Sequence, residues 1–376
     1  MRLISKQILK RLKNIPRKYI YEVLAVIGAL CVLAFVVSTL SPYSEPRQYA
    51  FAESTNNATL YRATVVSSEP NALKVVLKDG PNKGSEVTVS LENITDLRGL
   101  HNGADVIVSD STKVNGLVYL DIYRVPILIF IIAIFVVTVL LVGRRKGMMS
   151  LAGLGAGIVV IVWIMIPLIV NGYNSLYVSV FGAYLIAVVS ILIAHGFERK
   201  TYISLACVLI VLILVTAGSV LVVNLLGLSG IIDEPSYFLQ LDHPTLDLSG
   251  ILVGGIVIAA LGALDDVVTT QVATVQELKK TDASLNKNEL YKKAILVGGE
   301  HIAALVNTLA LVYVGAALPL IVTYAFNTPN LLMLFNSEFI ATEIARTIIV
   351  SIGLVLSVPI STYVAAHVIA KRKMST

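Results

Sequence analysis

Polar residues interrupt two otherwise aliphatic stretches of this chain. The run Gly262-Ala-Leu-Asp265-Asp266-Val-Val-Thr269-Thr270-Gln271 places two adjacent carboxylates among apolar neighbours. Further on, Gly298-Gly299-Glu300-His301 opens a second apolar run, with Asn307 and Thr308 behind it. Ionisable groups inside a bilayer cost about 2.5–3.5 kcal/mol each on insertion scales, so each needs a reason. Three chemistries would supply one. Asp, Glu and His together suit Mn²⁺, Zn²⁺ or Fe²⁺, and carboxylates alone suit Mg²⁺. Clustered carboxylates in a low dielectric can also relay protons, because they share and exchange them. The third reading is a structural network where helices leave the membrane.

Spacing decides which of these residues could meet. Glu300 and Asn307 are seven apart, as are His301 and Thr308, so the four form one polar wedge on a helix. Gly255, Ala259, Gly262 and Asp266 share one helix face, and small residues allow close approach, so this face is expected to pack inward. Asp265 lies about 100° around the helix, above Thr269. At about 1.5 Å per residue, the Asp pair and Glu300/His301 reach similar depth on consecutive antiparallel helices. The expected ion-binding set is therefore Asp265, Asp266, Glu300, His301, Asn307 and Thr308. Asp266, Glu300 and His301 are the metal ligands of choice should the ion be a divalent cation.

A second polar group sits near the other face. Glu343 and Arg346 are three apart, the spacing of an intrahelical ion pair, with Asn224 and Asp247 at comparable depth. Pro359 is expected to kink its helix, and Ser357, Ser361 and Thr362 beside it could be extra ligands or satisfy the freed carbonyl. His195 and His367 read as interfacial residues at cytoplasmic span ends. Cys31 and Cys207 lie in apolar runs and have no metal spacing. No hydrolase elbow, P-loop, HExxH or CxxC pattern occurs, so no enzyme is expected. The sequons at Asn57 and Asn93 matter only in a eukaryotic secretory setting.

The elements that must position these groups follow from composition. The chain is 56% hydrophobic and 14% charged, against roughly a quarter charged in average soluble domains. Its apolar residues fall in repeated runs, each near the roughly 20 residues a crossing needs. About eight spans are expected, near 20–40, 125–142, 148–170, 175–194, 202–226, 248–270, 295–325 and 341–367. The excess of 29 Lys and Arg over 24 Asp and Glu sits at span ends, which argues against nucleic acid and for topology-setting charge. Loops with Arg144-Arg145-Lys146, with Arg199-Lys200 and with Lys279 through Lys293 alternate with neutral or acidic ones. The tail ends Lys371-Arg372-Lys373. All basic segments share one side if both termini lie in the cytoplasm.

The ends of the chain add three segments. Residues 1–19 carry seven basic residues and no acid, with Ile4, Ile8 and Leu12 at helical spacing, which suggests a basic amphipathic segment on an anionic membrane face. Residues 20–40 read as an uncleaved first span rather than a signal peptide. Residues 41–124 change character: after a linker, short alternating stretches at 61–66, 73–77, 86–91, 105–108 and 117–122 read as strands. Lys78 through Gly84 supplies a turn. A small OB-like β-barrel outside the cytoplasm is expected, followed by a seven-helix transmembrane domain at 125–370. The glycines at 153, 155 and 157 faintly answer those at 254, 255 and 262, as an inverted repeat would require.

Three stretches resemble the YibE/F-like family of bacterial membrane proteins. They are Ala259 through Gln271 with Gln276-Glu277-Leu278; Gly299 through Tyr313, continuing to Leu318-Pro319; and Glu343-Ile-Ala-Arg346 with Ser351 through Pro359. The likeness covers most of residues 150–370. Gly299-Glu300 stands where the family pattern has an Arg-Asp pair before the histidine, so the acid is kept and a positive charge is missing. The resemblance implies a polytopic α-helical fold and a bacterial cell-membrane address, in a family known mainly as membrane proteins proposed to transport. The expected function is a transporter or channel for a cation, proton-coupled or divalent-metal-binding. A non-catalytic scaffold whose β domain, residues 60–122, docks an envelope protein is the alternative. The lipid bilayer is a partner in either case.

Overall fold

The computed structural model describes residues 60–69, 72–91, 100–111, 116–327 and 330–370. The expected segment 1–19, the span 20–40 with Cys31, the linker to residue 59, both sequons and the basic tail lie outside the described residues. The described residues divide into two compact units, one ending at Val142 and the other starting at Gly143.

The first unit contains five strands: β1 (Leu60–Glu69), β2 (Ala72–Leu77), β3 (Glu86–Ser90), β4 (Asp105–Ser111) and β5 (Gly116–Ile122). They close a barrel in the order β1-β2-β3-β5-β4, antiparallel throughout except for β3 beside β5. This is the small five-stranded barrel that the period-two alternation anticipates. Alternate residues Ala63 and Val65, Leu73, Val75 and Leu77, and Val106 and Val108 fill its core. Register pairs Val65 with Val75 and Tyr61 with Val108. Gly80 (φ 86°) turns the chain between β2 and β3, and a Cβ there would collide with the Tyr61 ring.

Helix α1 (Val125–Val160) follows, then a π-helical turn (Ile161–Met165) and the short α2 (Ile166–Val170). Two helices meet at a kink inside this α1 run: Arg144, in the basic cluster expected between two spans, leaves helical geometry at φ 51° and ψ −126°. The second unit continues with α3 (Ser175–His195), α4 (Arg199–Leu226), α5 (Glu234–Asp242), α6 (Leu248–Thr281), α7 (Lys287–Asn327), α8 (Leu331–Asn336) and α9 (Glu338–Ala370). Six helical stretches among the described residues are long and apolar enough to cross a membrane, the first being the whole run Val125–Val170. Helix α9 passes through Pro359 without losing helical assignment. Helix α5 was not anticipated; Asp233 and Ser236 start it with reciprocal side-chain caps.

Helices α3, α4, α6 and α9 enclose the core, around Ile191, Leu212, Ile256, Leu264 and Leu354. Over their most apolar stretches α6 is 56% buried and α7 only 6%, so α6 is central and α7 peripheral. The packed face of α6 is not the expected one. Gly255, Gly262 and Asp266 are exposed, and a Cβ at either glycine would meet nothing within 4 Å. Burial falls instead on Val253, Ile256, Val257, Ala260, Leu264 and Val268. Close approach is made by Gly254, against Ser179 of α3, and by Gly250, against the Leu176 backbone.

Candidate proton and cation site

Helix α3 ends at His195 because Gly196 (φ 75°) turns the chain there, and Thr201 Oγ1 in the first turn of α4 donates to the His195 carbonyl at 3.3 Å. The imidazole therefore sits at a helix C-terminus, where a positive charge is favoured. Its Nε2 lies 3.4 Å from Asp265 Oδ1 on α6, within ion-pairing range when the ring is protonated. The contact is not aligned as a hydrogen bond, and Asp265 Oδ1 is buried with no hydrogen-bond partner. The two side chains are 37% and 24% exposed. A mostly covered carboxylate with an oxygen lacking any donor is the arrangement that a proton or cation would complete.

One turn and a half along α6, Gln271 is buried at a three-helix junction. Its Nε2 donates 2.8 Å to the Ala294 carbonyl of α7 and 2.7 Å to Thr362 Oγ1 of α9. Thr362 Oγ1 itself donates to the Val358 carbonyl, so it must accept from the amide. That fixes the amide's orientation and leaves Oε1 buried and unpartnered. Gly298 permits the approach, since a Cβ there would lie 3.0 Å from Oε1 and collide with Val358. Ser357 and Ser361 beside Pro359 bond backbone carbonyls of their own helix.

Among the described residues, the remaining expected residues form no hydrogen bond or ion pair with Asp265. On α7, Ile295, Ile302, Leu305 and Leu309, at helical spacing, pack against Val267, Leu354 and Val358. Glu300 lies about 200° from Ile302 around the helix, and it is exposed together with Asn307 and Thr308. His301 is half-buried, and Thr308 bonds the Ala304 carbonyl. Asp266 faces outward on α6. Among the described residues no three His, Cys, Asp or Glu side chains are arranged to hold a metal ion, so Asp266, Glu300 and His301 are not brought together as ligands. At the other end, Arg346 Nη1 meets Glu343 Oε1 at 2.7 Å. Asp247 caps α6 through Gly250 N, and Asn224 bonds the Val220 carbonyl.

Sequence reasoning missed the His195–Asp265 pair and the Gln271 junction. The available signal was polarity at a buried helix position, because Gln271 continues the apolar face of Leu264 and Val268.

The family model for YibE/F-like proteins matches residues 131–371. The chain belongs to the YibE/F-like family. Asp265, His195, Gln271 and the α7 and α9 polar groups all fall inside the matched stretch of this YibE/F-like chain, and the five strands precede it. No curated protein and no solved structure matches it.

Proposed function

We propose that this YibE/F-like protein is a proton-coupled cation transporter or channel of the bacterial cytoplasmic membrane, working through Asp265 and His195. The observation that carries the reading is the buried, unpartnered Asp265 oxygen 3.4 Å from the imidazole Nε2. With the ring protonated, imidazolium neutralises the carboxylate. When that proton leaves, the carboxylate is left without a donor, and a cation is favoured in its place. One site thus exchanges a proton for a cation. The coupling centre lies between α3 and α6 rather than between the sixth and seventh spans.

The topology that goes with this reading has eight crossings, both termini inside and the barrel outside. On either side of the kink at Arg144, the segments 125–143 and 145–170 each reach about 30–40 Å as helix, close to one hydrocarbon core, which supports two crossings divided there. Arg144, Arg145 and Lys146 at that division, with Lys200 and Lys280 at later span ends, support a cytoplasmic position for all of them.

The test is proton flux into proteoliposomes under imposed cation gradients, followed with an internal pH dye. Asp265→Asn and His195→Gln are each expected to lower gradient-driven flux at least tenfold, while Asp266→Asn, on the exposed face, retains it. Wild-type flux in Asp265→Asn for every cation that wild type moves would refute the mechanism. Loss of the cellular phenotype on deleting residues 60–122, with Asp265→Asn silent, would instead favour the envelope scaffold.

A further inference from the structure

Where α4 begins and α6 and α9 end, the second unit holds a cavity of about 120 Å³. Arg199, Lys200, Lys279 and Lys280 line it, with Gln276 and the apolar Ile203 among them. Two of the four cations already have acids: Lys200 meets Glu198 at 2.9 Å and Lys280 meets Glu277 at 2.6 Å. Lys279 is buried, and its Nζ donates to the Ala283 and Leu285 carbonyls, which hold the charge without cancelling it. Asp282, whose charge reaches Lys279, is taken up by Ser284 N and Oγ. Among the described residues Arg199 forms no ion pair. It is the first residue of α4, whose start has no acid in its first turn and no cap from the Glu198 side chain. The positive end of a 28-residue helix therefore opens beside a guanidinium and three ammonium groups.

We propose that this cavity binds a phosphoryl anion, carried by an anionic lipid headgroup or supplied as free phosphate. Guanidinium and ammonium groups at a helix N-terminus match the charge and the acceptor geometry of a phosphate. The level in the fold agrees with a lipid source. Both α4 and α6 change between apolar and basic residues at this point, and Ile203 on one wall and Val368 and Ile369 of α9 on another offer a path for acyl chains. Basic pockets between membrane helices at the cytoplasmic side recognise headgroups in this way.

The experiment uses the full-length protein in neutral detergent, stripped of lipid, at constant ionic strength. Thermal unfolding is followed while phosphatidylglycerol, phosphatidylcholine or inorganic phosphate is titrated in. The expected result is a rise in Tm that saturates with phosphatidylglycerol and is absent with phosphatidylcholine. The double variant Arg199→Gln/Lys280→Gln should need at least ten times more lipid. Gln276→Glu, which sets an acid in the cavity without removing a helix contact, should do the same if the double variant does not fold. A rise with inorganic phosphate as well assigns the site to free phosphate; a rise with phosphatidylglycerol alone assigns it to headgroups. Equal rises with both lipids, no rise with either lipid or with phosphate, or an undiminished rise in Gln276→Glu overturns the proposal.

Discussion

Gln271 on α6 and Thr362 on α9 share a hydrogen bond of 2.7 Å in which the amide donates and the hydroxyl accepts. The same amide nitrogen reaches the Ala294 carbonyl, so one buried side chain ties three helices. Such a donor has no substitute in an apolar interior, and losing it takes one bond from each of two acceptors on neighbouring helices. Gln271→Leu is expected to cost about 1–3 kcal/mol. Thermal unfolding in detergent should show the loss, and Thr362→Val should show a smaller one, because the Ala294 bond survives. Equal stability of Gln271→Leu and wild type would mean that the junction is held by packing alone.

The corrected face of α6 makes a sharp comparison between neighbours. A Cβ on Gly254 would run into Ser179, whereas one on Gly255 meets nothing within 4 Å. Gly254→Ala should therefore cost about 1–3 kcal/mol as α3 and α6 are forced apart. Gly255→Ala should leave stability unchanged or raise it by up to about 1 kcal/mol, through helix propensity. Unfolding midpoints of the two variants, measured side by side, check the sign of each. Reversed signs would restore the face first expected to pack.

That face illustrates what the sequence can and cannot disclose. The barrel strands were legible because water on one side of each strand forces alternation, as in Leu73-Lys74-Val75. The spans were legible because a bilayer demands long apolar runs. Their rotation was not, since Val, Ile and Leu suit lipid as well as they suit a neighbouring helix, and no polar face marks the outside. Small residues on one face suggest packing, yet α6 packs through Ile256, Val257 and Leu264 and leaves Gly262 outside. Helix ends were also missed: α6 runs on through Glu277 and Lys280 to Thr281, where no apolar limit applies. His195 and Asp265 are seventy residues apart, and only the crossing of α3 with α6 makes them neighbours.

Removal of the Asp265 charge gives a stability result distinct from its transport test. An ionised oxygen that is buried without a donor opposes folding, so its neutral isostere should relieve that cost. Asp265→Asn is expected to unfold at the same or a higher temperature than wild type. A large drop in Asp265→Asn would instead mark the carboxylate as a structural anchor.

The turn after α4 is held by Glu338, the first residue of α9. Its carboxylate accepts from Ser229 N and Oγ and from Gly230 N, all just past the end of α4. Three donors on one charged acceptor make this a stronger tie than a neutral pair. Glu338→Ala should cost about 1–3 kcal/mol, and Glu338→Gln less. Hydrogen exchange should show the Ser229 and Gly230 amides losing protection in both variants, with little change at the His195 end of α3. Unchanged protection would show that the amides are shielded by packing rather than by the carboxylate.

The barrel carries the pH dependence. The Lys78 ammonium, 2.6 Å away, with Thr64 Oγ1 holds the Asp105 carboxyl below the usual carboxylate range, against the opposing effect of partial burial. A group whose pKa is lower folded than unfolded stabilises the fold above its unfolded pKa, near 3.9 for Asp. That contribution disappears as pH falls through the folded value. Because the Lys78 side chain is 47% exposed, solvent screening limits the pair to about 1 kcal/mol or less. Asp105→Asn should therefore lower barrel stability slightly at pH 7 and make no difference once the acid is protonated in both states. Tyr119, buried in the barrel core beside β4, offers a fluorescence probe, though a tyrosine-rich chain requires comparison with Tyr119→Phe. If the two stability curves stay parallel from neutral pH down to about pH 2, the Lys78–Asp105 contact contributes nothing to the fold.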